Sequence, residues 1–238
     1  MLGGGARLAK RGALSGVADE GGYWPSFRSN EEALAELVGA IADAGLEPGT
    51  DVGIALDIAA TQLYRAGSYH LALENRSLTA AQLHAMLLRW IERYPIVSIE
   101  DPFAEHDAEA MRAFTKAAGI QVVGDDFFVT NEQKLRNANG ACNAVLLKPN
   151  QVGTVTETLA CWEAARAAGY GAIVSARSGE TEDVSIVHLA VGWGVPQLKV
   201  GSFSRSERMA KWNEGLRIEE SLGAKALPFP ARKLFRKR

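Results

Sequence analysis

The chain has 238 residues, of which 47% are apolar and 23% charged, and its formal net charge is −2. That length supports one substantial core or two small ones, and the near balance of charge gives no whole-molecule attraction for nucleic acid. No run approaches the roughly 20 apolar residues of a membrane-crossing helix, and the opening MLGGGARLAKRG has no apolar stretch of the secretory kind; a soluble cytoplasmic protein is expected.

In chain order, a weak strand at 15–18 precedes a helix over 30–44, which Ser29 or Asn30 can cap, with Glu31 and Glu32 in its first turn. Strands follow at 52–56, 96–99, 121–124, 144–147, 172–175 and 197–200. Helices over 79–94, 108–118, 155–168, 181–193 and 206–222 alternate with them, the first capped by Thr79. After the first interval, strand ends recur about every 25 residues, the length of one βα unit. Continuous apolar strands between amphipathic helices argue for a parallel sheet covered on both faces. No linker rich in Pro, Ser or Gly divides the chain, so 1–238 is read as a single α/β domain. From 224 onward it ends in a basic tail, with five basic residues in the last seven; such runs usually stay in water. Periodicity alone does not choose between a barrel and an open sheet.

Cys142 and Cys161 stand 19 residues apart without a Cys-x-x-Cys pair, which suggests neither a disulfide scaffold nor a zinc site. Of the histidines, His188 is read as packed within its helix, while His70, His84 and His106 fall outside every motif. Trp193, Trp212 and Phe203 are read as core aromatics.

The polar residues at the strand ends decide more. Asp57 closes GIALD, Glu100 and Asp101 close VSIED, Asp125 and Asp126 close VVGDD, Lys148 closes VLLK, Arg177 follows IVSA, and Lys199 lies in QLKVG. Taken singly, such an Asp is usually a turn residue or helix cap, and such a Lys usually reaches to solvent. Six successive strands each bringing an ionisable group to the carboxyl end is a different matter. In a βα barrel those ends converge on one mouth. Asp57, Glu100 and Asp125 would form a hard-oxygen shell suited to Mg²⁺. A cation there would offset their mutual repulsion and free the amine of Lys148 to act as a base.

At these residues the chain resembles the enolase family, from about residue 13 to 222. VADEGG at 17–22 looks like that family's Gly-Asp-Glu-Gly-Gly loop. ALDIAA at 55–60, SIEDP at 98–102 and GDD at 124–126 resemble its three metal-ligand segments, KPNQVGT at 148–154 its catalytic-lysine stretch, and SRSER at 204–208 with LRIEE at 216–220 its C-terminal signature. SARSGETED at 175–183 nearly matches its phosphate loop, with Ala176 where the family has histidine.

The resemblance implies magnesium-dependent dehydration of 2-phosphoglycerate to phosphoenolpyruvate in glycolysis. Asp57, Glu100 and Asp125 would bind Mg²⁺, Lys148 would remove a proton and Glu20 would protonate the leaving hydroxide. Glu100, Asp125, Ser175, Ala176, Arg177, Ser178 and Lys199 would surround the substrate. It also implies an enolase-type TIM barrel, here incomplete, because the N-terminal capping domain and first two strands of that fold would precede residue 1. Six or seven strands cannot close an eight-stranded barrel. A fragment, a remnant, a homo-oligomer or a partnership with a missing N-terminal half is therefore expected. Ala176, Pro149 and TQLY at 61–64 mark a divergent branch. Two other readings stand beside the lyase: an enolase-like enzyme acting on another phosphorus-bearing acid, as in phosphonate pathways, and a non-catalytic binding protein that keeps the fold.

Overall fold

The computed structural model describes residues 2–226, so most of the expected basic tail lies outside the described residues. The chain opens on helix α1 (Leu2–Lys10), an antiparallel hairpin of β1 (Leu14–Val17) and β2 (Tyr23–Pro25), and α2 (Asn30–Asp43). Strand β3 (Ile54–Asp57) leads into an antiparallel meander of β4 (Tyr64–Arg65), β5 (Ser68–Leu71) and β6 (Arg76–Leu78). Strands and helices then alternate through α3 (Ala80–Arg93), β7 (Ile96–Glu100), α4 (Ala108–Ala118), β8 (Gln121–Gly124), α5 (Glu132–Arg136) and β9 (Ala144–Leu147). The series continues with α6 (Pro149–Val152), α7 (Val155–Ala167), β10 (Gly171–Ser175), α8 (Ser185–Trp193), β11 (Leu198–Lys199) and α9 (Ser206–Leu222).

Six strands form one parallel sheet in the order β11-β10-β9-β8-β7-β3, which curls into a half-barrel with helices outside. The order is sequential because each βα unit returns its strand beside the previous one, the right-handed crossover that a twisted parallel sheet imposes. Strands β8 (QVVG), β9 (AVLL) and β10 (GAIVS) are apolar on both faces, as burial on both faces requires. Their outer face meets Leu87, Ile99, Met111, Phe114 and Cys161, all fully buried; Val123, Ala144, Leu146 and Ile173 fill the inner face as a separate small cluster. Polar caps start the helices. Ser29 accepts from Glu32 N at 3.1 Å, and Thr79 and Gln82 form a reciprocal capping box.

The strand expected at 15–18 forms, but it does not join the parallel sheet. The turn from Ala18 to Gly22 closes on itself, with Ala18 N donating to Gly22 O at 2.8 Å and Gly21 N to Ala18 O at 2.9 Å. It therefore makes a two-stranded hairpin with β2, and among the described residues the parallel sheet has six strands.

Helix α1 was not foreseen, since three consecutive glycines argue against a helix. Tertiary contacts override that propensity. A Cβ at Gly5 would lie 2.3 Å from the Tyr23 hydroxyl, so only glycine admits the hairpin there. Arg7 and Arg11 then pair with the buried Glu36 on α2, and Arg11 with Glu32 at 2.6 Å.

Glu32 joins these pieces. Its carboxylate accepts from Arg28 N at 2.8 Å and from Arg11, and these bonds, the one from the Arg28 backbone foremost, hold it down to about 2. A carboxylate depressed in the folded state adds stability above its unfolded value, and that contribution fades as pH falls through the folded value. Glu32→Gln should therefore lower the melting temperature at pH 7. The gap to the unsubstituted chain should shrink from about pH 4.5 down to about pH 2.

Candidate active site

Paired residues across a sheet point to the same side, and residues two apart on a strand share a face. Asp57 pairs with Glu100, Glu100 with Val123, Val123 with Ala144, and Ser175 with Lys199. Leu146, two residues past Ala144, pairs with Ile173, two residues before Ser175. Asp57, Glu100, Ser175 and Lys199 thus occupy the inner face at the carboxyl ends of their strands. Asp125 and Lys148 continue the inner-face rows of Val123 and Leu146. Period-two alternation alone delivers six of the expected residues to one mouth.

Within that mouth the carboxylates are paired with lysines. Lys199 Nζ lies 2.9 Å from Asp57 Oδ2 and 2.9 and 2.8 Å from the two Glu100 oxygens. Burial opposes the charge on Lys199, but Glu100 and Asp57 more than offset it and raise the ammonium above its ordinary range. Burial pushes the Glu100 carboxyl up to about 8, Asp57 adds to the shift, and Lys199 works against it. Lys148, 9% exposed, forms a second buried pair with Asp125.

The backbone that aims these groups is strained. Asp101 (φ 40°) is 3% exposed; one carboxylate oxygen accepts from Asp125 N at 3.0 Å and the other from Asp126 N at 2.8 Å. Burial raises its carboxyl to about 7 against those two backbone bonds. Val129 (φ 49°) and Thr130 (φ 56°) both sit in the left-handed region that β-branched residues avoid, at a cost of about 1–3 kcal/mol each. The return is a fully buried Thr130 hydroxyl that accepts from Lys148 N at 3.0 Å and donates to Gln151 Oε1 at 2.8 Å; Gln151 reaches on toward Asp125 Oδ1 at 3.4 Å. Pro149 fits beside Lys148 because it occupies the first position of α6, where no intrahelical N–H is lost.

The segment 175–183 leaves the end of β10. Ser175 is 2% exposed and donates its hydroxyl to Ala176 O at 2.7 Å. Ala176 is also buried, and its N–H donates to Lys199 O at 2.8 Å, so the backbone holds the loop at the position where a histidine was expected. Arg177 donates its N–H to Glu180 at 2.8 Å and its guanidinium to Asn150 Oδ1 at 3.2 Å. The turn bearing Glu20 docks just past β11: Ser202 N donates to Glu20 O at 2.8 Å, and Ser204 Oγ to Gly21 O at 2.7 Å. Glu20 is thereby brought to the end of the strand that carries Lys199.

Thr130, Gln151, Arg208 and Lys211 support this site without having been singled out. Gln151 and Arg208 fall within the KPNQVGT and SRSER stretches, but nothing in the sequence marks those two positions as buried; Thr130 and Lys211 fall in a loop and a helix of ordinary pattern, and a buried cation on α9 breaks the apolar periodicity that would mark an inner face. Three expected packing positions differ. His188 is exposed and meets Glu214 at 3.0 Å. Phe203 is 61% exposed, with Trp212 half-buried and stacked on it at 5.4 Å. Helix α9 buries Arg208 and Lys211 instead, so its covered side is cationic while Phe203 lies on the exposed side.

The sequence matches the enolase C-terminal TIM barrel domain over residues 6–237. It is 50% identical over 226 residues to Enolase 1 of Desulfitobacterium hafniense (strain Y51), an alignment that covers 92% of this chain and 52% of that protein. The chain belongs to the enolase family, as its C-terminal α/β barrel domain. It spans about half the length of that curated relative.

The donor set fits a hard divalent cation. Carboxylate oxygens of Asp57, Glu100 and Asp125 face the mouth alongside the two lysines, and the carboxylates of Asp101, Asp125 and Asp126 come within 4.8 Å of one another. Asp101 is tied to two backbone N–H groups, so it serves the loop first; Asp125 belongs both to this cluster and to the trio expected from sequence. A cation entering between Asp57 and Glu100 must compete with the Lys199 ammonium. One unit charge about 4 Å away, at an effective dielectric near 20, outweighs the ~1.4 kcal/mol of a tenfold change. Lys199→Met should therefore bind Mg²⁺ about tenfold more tightly than the unsubstituted chain in calorimetric titration without substrate.

Proposed function

We propose that this chain carries the catalytic half of a magnesium-dependent enolase, which interconverts 2-phosphoglycerate and phosphoenolpyruvate as a cytoplasmic glycolytic step. The observation that carries the reading is the meeting of Lys148, Lys199, Asp57, Glu100 and Asp125 on the inner face of one half-barrel. The family match and the 50% identity to Enolase 1 support it.

In this reading Asp57, Glu100 and Asp125 would hold Mg²⁺, which would supply the positive charge that fixes and polarises the substrate carboxylate. Lys148, released from Asp125, takes the proton from the carbon next to that carboxylate. Lys199 contributes a fixed positive charge as the carboxylate gains electron density, and as a preformed ammonium it needs no reorganisation. Glu20, presented from the hairpin turn, protonates the hydroxide that departs from the neighbouring carbon. Arg177 and Ser178 grip the phosphate, the guanidinium through its planar fork of donors. Strands β3 and β11 are the open edges of the parallel sheet. A second copy, or a segment supplying the remaining strands, would cover them.

Ala176 favours a second reading. A buried methyl stands where the family carries a histidine, which removes a donor from the pocket and leaves room for a differently shaped phosphorus-bearing acid. A substrate panel separates the two.

Turnover of 2-phosphoglycerate by the purified chain with Mg²⁺, followed as phosphoenolpyruvate, should fall at least about a hundredfold in Lys148→Ala, the scale of a lost general base. Turnover of a phosphonate acid but not of 2-phosphoglycerate would select the second reading. A folded, Mg²⁺-binding chain that turns over neither would contradict both.

A further inference from the structure

Helix α9 carries two cations that no expected role absorbs. Arg208 is 0% exposed and Lys211 is 1% exposed, although α9 is among the more polar helices of the fold. A buried guanidinium is costly unless its donors are met; Arg208 Nε lies 3.5 Å from Glu207 Oε1 without a hydrogen bond, and its two terminal nitrogens are spent on backbone. Nη1 donates to Arg177 O at 2.8 Å and to Val200 O at 2.7 Å, and Nη2 donates to Ser178 O at 2.6 Å. The three carbonyls belong to two different strand ends. Arg177 and Ser178 begin the segment after β10, and Val200 follows Lys199 directly.

Two neighbouring contacts tighten the same junction. Gly201 (φ 130°) allows close approach on both sides, since a Cβ there would lie 2.8 Å from Arg208 Cδ and 2.6 Å from Glu20 O. The Glu20 turn therefore rests on the same frame. Lys211 Nζ holds Thr181 O at 2.8 Å and Glu180 Oε2 at 3.0 Å, while the other Glu180 oxygen accepts from Arg177 N.

We propose that Arg208 is a positioning residue whose buried guanidinium fixes the separation between Arg177 with Ser178 on one side and Lys199 on the other. This rests on the phosphate-gripping role given above to Arg177 and Ser178. A substrate carrying phosphate at one end and carboxylate at the other needs that separation held, because the two ends are bound by groups from adjacent strands. The fork geometry of arginine bridges carbonyls on both segments at once; a lysine ammonium is a single point charge and cannot span them equally. Arg208 touches no substrate atom in this arrangement.

The test uses Arg208→Met and Arg208→Lys, with Arg177→Met as the control for phosphate binding. Amide hydrogen exchange is read at Ala176, Arg177 and Ser202 and, for comparison, in β8 and β9. Affinity for 2-phosphoglycerate with Mg²⁺ is read by calorimetry. Arg208→Met should speed exchange at the three loop amides about tenfold or more and leave β8 and β9 unchanged, as expected when charge-assisted hydrogen bonds are lost locally. It should also weaken 2-phosphoglycerate binding about tenfold, with Arg208→Lys intermediate in both; if Arg208→Met does not fold, Arg208→Lys carries the test. Unchanged loop exchange, exchange raised equally across the sheet, or altered exchange with full affinity would each overturn the positioning role. If the unsubstituted chain shows the localised protection yet binds no 2-phosphoglycerate, the reading of Arg177 and Ser178 fails and the proposal falls with it. That failure is distinguished by the intact exchange pattern.

Discussion

A parallel sheet of six strands ends in two open edges, and in this chain the side chains at those edges meet. Lys199 on β11 reaches Asp57 on β3 and Glu100 on β7, bridging residues 142 and 99 positions apart. Strand twist starts the curl, but twist alone does not bring the first and last strands within hydrogen-bond distance at one end. A lysine among three carboxylate oxygens supplies an attraction at the carboxyl ends. Below it the apolar side chains of Val123, Ala144, Leu146 and Ile173 pack together on the inner face. Two further parts of the mouth join it at the same strand: the loop after β10 hangs from the carbonyl of Lys199, and the Glu20 turn docks three residues beyond it.

The site is rich in groups held in states that water would not favour. Glu100 and Asp101 are carboxyls raised by burial, and Val129 and Thr130 occupy strained backbone. Asp125 and Lys148 neutralise one another in a buried pair. A buried pair of that kind is weak evidence for stability, since desolvation offsets most of the attraction. Perturbed carboxyls, buried ion pairs and strained backbone of this kind cluster at functional sites in general.

Much of this was legible in the sequence because two periodicities carried it. Strands β8 and β9 and helices α4 and α9 stand at their expected boundaries, and the alternation within strands delivered Asp57, Glu100, Lys148 and Lys199 to a common face. What escaped was set by tertiary contact. Helix α1 forms on three glycines because Tyr23 and Glu36 require its approach. The hairpin at 14–25 looked like a further parallel strand because a single strand pattern carries no information about its partner. Thr130 could not be found from propensity, which argues against the conformation that makes it useful. Arg208 lies within the SRSER motif, but its burial shows only when the two strand ends it joins are seen together.

Lys199 and Glu100 act as one unit that holds the mouth together. A double-mutant cycle with Glu100→Gln and Lys199→Met, read as unfolding free energy in denaturant without metal, tests it most directly. The structure predicts a coupling of about 1–3 kcal/mol between these two positions. Additivity within about 0.5 kcal/mol would contradict it, and the half-barrel would then owe its curl to packing alone.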